Sequence, residues 1–397
     1  MASGDRSIRV SGIRRAVKHN KANNTVLATK VQKSRHNAAM RCVILVAAFC
    51  TGLCEALWPT AAAAEAPMVR YGDPVPRDVR EIYDAGLRYL VRTQEDSGMW
   101  KGGQEGPGVT GMATMVLLAS GEDPNYGPYR EPIRKALRNI ISQQDAATGF
   151  VGASNNPSMY HHGFAMLALA EAYGAVDDRT LWAVSDAASR GRLIGPSLEL
   201  AVRMAVTSGK KNPFGGWRYS PDAQDADTSV SGAVLMGLLA ARNAGIEVPI
   251  ETIDKAIGYY QSMTGPNGQI GYSGQAGGGS DAVTSIGVLV YSIAGRKDLP
   301  QFKQAIAYLR NAAGNPQGRD QNYPSYTRYY RSQALFQADV DTWVRWNDGL
   351  IKEIKASQAK DGSIMWPGGA GFGPAVETSL TLLSLALNYR FLPIYER

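Results

Sequence analysis

The chain has 397 residues, of which 44% are hydrophobic, so it is long enough to bury a large apolar core. Its formal charge of +7 comes from the N-terminal segment, because residues 1–64 hold ten basic and two acidic residues, which leaves 42 − 10 = 32 basic against 35 − 2 = 33 acidic residues. The remainder therefore carries a net charge of −1. The basic charge of the whole chain is thus no evidence that the folded part binds nucleic acid.

The N-terminal 66 residues are typical of a targeting segment. Residues 1–39 are polar, basic and without a hydrophobic pattern, which predicts either a disordered leader or a start at Met40 in place of Met1. Met40 and Arg41 precede an apolar run over residues 42–53, which is too short for a comfortable membrane span. This order of basic and apolar residues predicts an export signal.

The predicted signal peptide covers residues 40–66 and ends with two Ala-x-Ala cleavage sites, after Ala64 or Ala66. We therefore expect a domain over residues 67–397 that is exported to the periplasm or cell envelope, with an uncleaved anchor or a cytosolic tail as the alternatives. The three cysteines all lie in the leader, at Cys42, Cys50 and Cys54. The exported domain would then have no disulfide, thiolate nucleophile or cysteine-ligated metal.

From residue 76 onward, two kinds of predicted helix alternate. The first kind is amphipathic, with apolar residues at helical spacing on one face. These segments cover residues 79–91, 133–141, 250–260, 302–309 and 343–354. The second kind is apolar on nearly all faces, over residues 112–119, 163–170, 233–241, 286–294 and 380–387. Helices of the second kind must be enclosed by others, and Gly-rich connectors precede them.

This alternation predicts an all-α fold built from six helix pairs. The economical arrangement is a closed (α/α)6 toroid, with the apolar helices in an inner ring and the amphipathic helices in an outer ring. An open solenoid is the alternative, but it would need polar capping helices, and the last apolar segment, residues 380–387, has no polar face. Closure places the N-termini of all inner helices at one end, where we expect the mouth of a pocket.

A sequence motif gives this prediction a family context. Gln94 to Trp100 fits Q-x-x-x-G-x-W, and weaker copies begin at Gln144 and Gln358. The motif within a six-fold helical repeat resembles a single toroid of the squalene and oxidosqualene cyclase superfamily, which also includes protein prenyltransferase β-subunits and complement-like thioester domains. Both of the latter need a cysteine, for zinc or for the thioester, so the resemblance implies neither activity and no metal or other cofactor.

The resemblance to triterpene cyclases implies an acid at the middle position of an Asp-x-Asp-Asp-Thr segment. Aligned on Thr228, the last aspartate of that segment falls on Asp227, the proton donor on Ala226 and the first aspartate on Gln224. The usual acid motif is thus incomplete, and Asp225 or Asp227 would have to act in its place. The cyclases also have two toroids, whereas this chain has room for one.

Four carboxylates lie at the predicted starts of inner helices, and each has a structural and a functional interpretation. Asp225 and Asp281 have the spacing of N-caps, whereas Asp227 and Glu377 fall in the first helical turn. Their convergence on one mouth would raise some of their pKa values by mutual repulsion. The fifth inner helix instead carries Arg328 and Arg331, predicted either to neutralise these carboxylates or to bind an anionic ligand beside aromatic walls such as Tyr329.

The predicted site has Asp225 and Asp227 as catalytic acids and further residues as substrate contacts. These contacts are Tyr160, His161, Trp217, Arg218, Asp281, Arg328, Tyr329, Arg331 and Glu377. Packing between helices is the structural alternative for Trp217. Two functions stay open: an exported toroid that binds or cyclises an isoprenoid or other apolar ligand, with peripheral membrane contact, and a non-catalytic exported binding or scaffold module.

Overall fold

The computed structural model describes residues 75–152, 158–182, 192–313, 323–367 and 371–395, and the predicted leader and signal peptide lie outside these ranges. Within them the chain forms twelve α-helices. These are α1 (Arg77–Thr93), α2 (Pro107–Leu118), α3 (Arg130–Ser142), α4 (Met159–Ala172), α5 (Ile194–Lys211), α6 (Thr228–Asn243), α7 (Ile250–Met263), α8 (Asp281–Ile293), α9 (Pro300–Ala313), α10 (Pro324–Ala338), α11 (Val340–Ser357) and α12 (Pro374–Ala386). None of these helices is long and apolar enough to cross a membrane.

The even-numbered helices form an inner ring and the odd-numbered helices an outer ring. Each inner helix packs against the inner helices before and after it, and α12 packs against α2, which closes the ring. The outer helices α11 and α1 also meet at this point. In α6 every residue from Thr228 to Ala241 is buried, as expected for a helix without a face for water. The predicted closed (α/α)6 toroid is confirmed.

Three glutamines at the ends of outer helices tie successive pairs together. Each amide donates one hydrogen bond within its own turn and one to a carbonyl of the next outer helix. The bonds run from Gln94 Nε2 to Gly98 O (3.1 Å) and Pro132 O (2.9 Å), from Gln144 Nε2 to Gly149 O (3.1 Å) and Ser197 O (2.8 Å), and from Gln358 Nε2 to Gly362 O (3.0 Å) and Ile82 O (3.0 Å). The last of these joins the final helix pair to the first.

Close helix contact narrows the inner ring on one side. A Cβ added to Gly163 of α4 would lie 2.6 Å from the carbonyl carbon of Ala233 in α6, so only glycine permits this approach. Across the ring, the Phe164 and Tyr329 rings lie with centroids 6.3 Å apart. Because α4 and α10 are on opposite sides, aromatic rings occupy the space between them.

The far end of the inner ring is covered by a 3-10 turn at Pro393–Tyr395. Gln333 Nε2 donates to Tyr395 Oη at 2.7 Å, and Ile394 N donates to Glu171 Oε2 at 3.4 Å. Both Ile394 and Tyr395 are buried. The inner helices begin at the opposite end, which we call the mouth of the toroid.

Candidate functional site

Three buried carboxyl groups lie at the mouth, each at the start of an inner helix. Asp227 precedes α6, Asp281 begins α8, and Glu377 is in the first turn of α12. Asp227 and Glu377 are fully buried, and Asp281 is 4% exposed. Carboxyl groups are rarely buried without a partner, so the surroundings of each decide what it can do.

Asp227 is the N-cap of α6, and its two oxygens have different surroundings. Oδ1 accepts hydrogen bonds from Ser229 N (2.9 Å), Val230 N (2.8 Å) and Ser229 Oγ (2.7 Å). Oδ2 is buried and has no hydrogen bond, although Arg218 Nε lies 3.4 Å away as an ion-pair partner. When the carboxyl is neutral, this asymmetry places its proton on Oδ2.

The helix caps differ from the prediction, which placed them at Asp225 and Asp281. Asp227 N donates to Trp217 O at 3.1 Å, which holds residue 227 extended and delays the start of α6 to Thr228. The prediction for Asp225 is therefore wrong by two residues. In α8 the cap is Ser280, whose Oγ accepts from Val283 N at 3.3 Å, and Asp281 is the first helical residue.

Arg218 lies beside Asp227 and links it to the rim of the mouth. Arg218 Nη1 donates to Asp225 Oδ2 at 2.6 Å, and the Asp225 side chain is 62% exposed. The guanidinium carbon lies 5.6 Å from the Tyr219 ring centroid and 5.8 Å from that of Tyr272. The two predicted acids thus share one arginine, but only Asp227 is enclosed.

Opposing effects set the acidity of Asp227. Burial raises the pKa of Asp227 above its usual range, because the charged form loses its hydration. The hydrogen bonds from Ser229 and Val230 and the charge of Arg218 act in the other direction and lower that pKa. The result is a carboxyl group that can hold a proton and still stabilise the anion left when the proton departs, which is what a general acid requires.

Two hydroxyl groups connect Asp227 to the barrel interior. Tyr160 Oη donates to Ser229 Oγ at 2.5 Å, and Ser229 Oγ donates to Asp227 Oδ1. Burial, followed by the charge of Asp227, raises the pKa of Tyr160, so its proton stays on the ring. The Tyr326 hydroxyl is buried without a hydrogen bond of normal geometry. Sequence analysis missed Ser229 and Tyr326, since a serine and a tyrosine in helices carry no signal of their own.

Asp281 is neutralised by Arg331, as one of the two sequence interpretations proposed. Arg331 Nη2 donates to Asp281 Oδ2, and Tyr308 Oη donates to Asp281 Oδ1 at 2.9 Å. The neighbouring Arg328 differs: it forms an ion pair with Glu353 of the outer helix α11. Asp281 is thus held in a closed polar cluster.

Glu377 has an environment unlike the other two carboxyl groups. Both of its carboxylate oxygens are buried, with the Ser325 side chain and the Trp366 backbone as their polar neighbours. Burial raises the pKa of Glu377, against the effects of Ser325, of the Arg328 charge and of the Trp366 backbone, which lower it. Glu377 is therefore a second buried carboxyl with a raised pKa at the mouth.

The remaining predicted contacts are engaged in packing and backbone hydrogen bonds. Trp217 is 1% exposed and its Nε1 donates to Ala205 O at 3.0 Å. His161 Nδ1 accepts from Gly108 N at 3.3 Å, and burial lowers the pKa of His161 to about 4, so it is neutral near pH 7. Tyr329 lies deeper, against Phe164. No cluster of three or more His, Cys, Asp or Glu residues suited to a metal occurs in the described ranges.

No protein-family profile and no curated protein matches the chain by sequence. Solved structures do match. A variant of the type II terpene cyclase MstE from Scytonema, in complex with its substrate geranylgeranyl dihydroxybenzoate, is 15% identical over 79% of this chain and 98% of that chain, with a TM-score of 0.54. The apo form of MstE is 14% identical over 80% of this chain and 100% of that chain, with a TM-score of 0.53.

A second kind of enzyme has the same fold. A glycoside hydrolase family 76 mannosidase from Bacteroides thetaiotaomicron VPI-5482 is 10% identical over 78% of this chain and 98% of that chain, with a TM-score of 0.57. At such identities a likeness shows the fold alone, since one fold hosts many functions. The chain is an α/α toroid, a fold that it shares with a terpene cyclase and a mannosidase.

Proposed function

We propose that the protein is a general-acid enzyme of the terpenoid-cyclase type, which protonates a carbon–carbon double bond of an isoprenoid ligand. The observation that carries the proposal is the asymmetric environment of Asp227. Three hydrogen bonds hold Oδ1, whereas Oδ2 has none and is buried. Asp227 would thus take the role that the resemblance to triterpene cyclases assigns to the position of Ala226.

The proposed reaction balances without a cofactor. The π-electron pair of the alkene takes the proton from Asp227 Oδ2, which forms a C–H bond and leaves a carbocation on the other carbon. A second double bond of the same ligand attacks this cation and forms a C–C bond. Loss of a proton from the cyclised cation to the Asp227 carboxylate restores the acid, so the net change is an isomerisation.

Aromatic rings near the acid support this chemistry. A carbocation needs π faces that stabilise positive charge without reacting with it. Tyr326 and Tyr329 of α10 lie against Tyr330, with ring centroids 4.8 Å and 4.7 Å away from the Tyr330 ring. Tyr160 and Phe164 add rings from α4 on the opposite side. A lining of leucine and alanine alone would have argued against a cyclase.

The proposal is tested with purified full-length protein and polyprenyl compounds, squalene and geranylgeraniol, in D₂O. Each protonation event would add one deuterium, so mass spectrometry should find cyclised isomers with a single extra mass unit. Asp227→Asn should abolish them while keeping the helix cap, because asparagine is as good an N-cap as aspartate. Asp222→Asn, in an exposed carboxylate of the same loop, is the matched control. Deuterated product from Asp227→Asn would contradict the proposal.

A second candidate function is a non-catalytic binding or scaffold module. The observation that favours it is the contact between Phe164 and Tyr329 across the ring, because these side chains occupy space that a large ligand would need. Lipid extraction and mass spectrometry of the purified protein separate the two functions. Absence of both bound isoprenoid and cyclised product supports the scaffold.

We also propose that the protein is exported and reaches its ligand at a membrane surface. The order of basic, apolar and Ala-x-Ala segments in the leader supports this proposal. Intact-mass measurement of the protein from its native host should give a chain that begins after Ala64 or Ala66. A mature chain that retains residues 42–53 would argue for an anchored or cytosolic protein.

A further inference from the structure

A groove on the outer wall of the toroid has room for a small molecule. It runs along the C-terminal half of the outer helix α5, between the connector after α3 and the loop after α5, and its volume is about 510 Å³. Ligand pockets usually have volumes of about 300–1,000 Å³. None of the described residues that line this α5 groove belongs to an inner helix. The groove is therefore separate from the carboxyl groups at the mouth.

Hydrogen bonds fix both walls of the α5 groove against the helix. On one side, Gln144 at the start of the connector donates from Nε2 to Ser197 O at 2.8 Å. On the other side, Ser208 Oγ donates to Pro221 O at 2.6 Å, and both of these residues line the groove. Because the walls are held in place by the fold, a ligand does not have to order them when it binds.

Positive charge predominates in the α5 groove. Arg203 and Lys211 line it from one face of α5, against a single acidic side chain, Asp222, so the formal charge of the lining is +1. Lys211 Nζ lies 3.7 Å from Asp222 Oδ1, and both side chains are mostly exposed, so this ion pair is weak. A groove with this charge attracts an anion and repels a cation.

The Arg203 side chain is free to bind that anion. Its guanidinium group has no hydrogen-bond or ion-pair partner among the residues that the structure describes, and only the Arg203 backbone oxygen accepts a bond from a side chain, from Thr207 at 2.7 Å. A guanidinium group donates two parallel hydrogen bonds to a carboxylate, whose single charge also matches the formal charge of the groove. The expected anionic group is therefore a carboxylate.

Apolar side chains lie beside Arg203 in the same groove. Met204 follows it in α5, and Phe150 and Pro221 line the walls. Phe150 and Met204 are only partly buried against the core, so part of each side chain is open to the groove. A ligand that covers them removes apolar surface from water, which favours binding. The groove thus combines a free cationic group with an apolar surface.

We propose that the α5 groove is a binding site for an amphipathic monocarboxylate. The carboxylate accepts two hydrogen bonds from Arg203, and the apolar body of the ligand packs on Phe150 and Met204. Fatty acids and aromatic acids belong to this ligand class. Binding in the α5 groove does not depend on any reaction at Asp227.

The test is an NMR titration of the full-length protein, labelled with ¹³C at its methionine methyl groups, with sodium octanoate. Met204→Leu identifies the Met204 signal by its loss. In the wild-type protein this signal should shift as octanoate is added and give a dissociation constant. Octanol has the same chain without a charge, and acetate has the charge without the chain. Each should therefore bind about tenfold more weakly than octanoate, or weaker still.

Two variants separate the charged and the apolar contacts. Arg203→Gln removes the charge and the paired donors, so the affinity for octanoate should fall by about tenfold. Arg80→Gln, at an exposed arginine of α1, is the matched control and should retain the wild-type affinity. Phe150→Ala removes part of the apolar wall, so it should weaken octanoate and leave acetate unchanged.

Three results would overturn the proposal: octanoate leaves the Met204 signal unmoved, octanol binds as tightly as octanoate, or Arg203→Gln keeps the wild-type affinity. The Asp227→Asn protein should bind octanoate as the wild-type protein does, whether or not it forms cyclised product. Loss of octanoate binding in Asp227→Asn would place the ligand inside the toroid, and it would also overturn the assignment to the α5 groove.

Discussion

Tyr160 Oη lies 2.5 Å from Ser229 Oγ, and this hydrogen bond joins the first turn of α4 to the first turn of α6. Ser229 Oγ in turn donates a hydrogen bond to Asp227 Oδ1 at 2.7 Å. The Tyr160 and Ser229 hydroxyls fix the orientation of the Asp227 carboxyl group. The hydrogen bond from Ser229 also stabilises the Asp227 anion. The orientation of the Asp227 carboxyl is thus set by residues from two helices.

Ser229→Ala should raise the pKa of Asp227. The Ser229 hydroxyl is among the groups that lower that pKa, so its removal leaves burial less opposed. Carboxyl ¹³C NMR titration of protein labelled at aspartate measures the shift. Tyr160→Phe is the matched control, because it removes the next hydroxyl and leaves all three hydrogen bonds to Asp227 Oδ1 in place. An Asp227 titration unchanged in Ser229→Ala would show that the Ser229 hydroxyl contributes nothing to the acidity of Asp227.

Glu377→Gln should stabilise the protein near pH 7, by about 1 kcal/mol. Burial raises the folded-state pKa of Glu377 above the usual 4.5. The folded protein then binds more protons than the unfolded chain between these two pKa values, so the free energy of unfolding falls as pH rises through that window. Glutamine is neutral at every pH, so the free energy of unfolding of the Glu377→Gln protein does not fall in this window.

The pH dependence distinguishes this effect from simple repacking. Below the unfolded pKa, both states of the wild-type protein hold the proton on Glu377, so the advantage of Glu377→Gln should disappear there. Urea denaturation of both proteins at pH 7 and pH 4 gives the comparison. If Glu377→Gln raised the free energy of unfolding equally at both pH values, ionisation of Glu377 would not destabilise the folded protein.

The ring architecture was predictable because five of the inner helices are apolar on nearly all faces, and a closed ring encloses such helices on every side. The third outer helix, α5, was not located in the sequence, although the buried residues of Ile194–Lys211 recur at helical spacing as they do in the other outer helices. The site was less predictable. Asp227 and Tyr160 were named, but Ser229, which links them, was not. Tyr160 is 69 residues from Ser229, and the hydrogen bond between them exists only after the ring has closed.

Gln358→Ala should lower the free energy of unfolding by about 1–2 kcal/mol. Its amide donates to Ile82 O at 3.0 Å and to Gly362 O at 3.0 Å, so the variant loses one bond within a turn and one that closes the outer ring. Urea denaturation measures the change. Gln261→Ala is the control, because the Gln261 amide makes only a long contact of 3.5 Å to Gln301. Equal losses of unfolding free energy in both variants would show that Gln358 contributes little to the stability of the closed ring.

The buried pair of Asp281 and Arg331 should behave as a unit in a double-mutant cycle. Asp281→Asn leaves Arg331 buried without its counter-charge, and Arg331→Met leaves Asp281 with only the Tyr308 hydroxyl, so each should cost about 3–5 kcal/mol. The double variant leaves no buried charge, and it also removes Arg331 Nε, which has no hydrogen bond. Its loss should therefore be well below the sum of the single losses. Strict additivity in chemical denaturation would mean that the two side chains are solvated independently, contrary to their burial in the toroid.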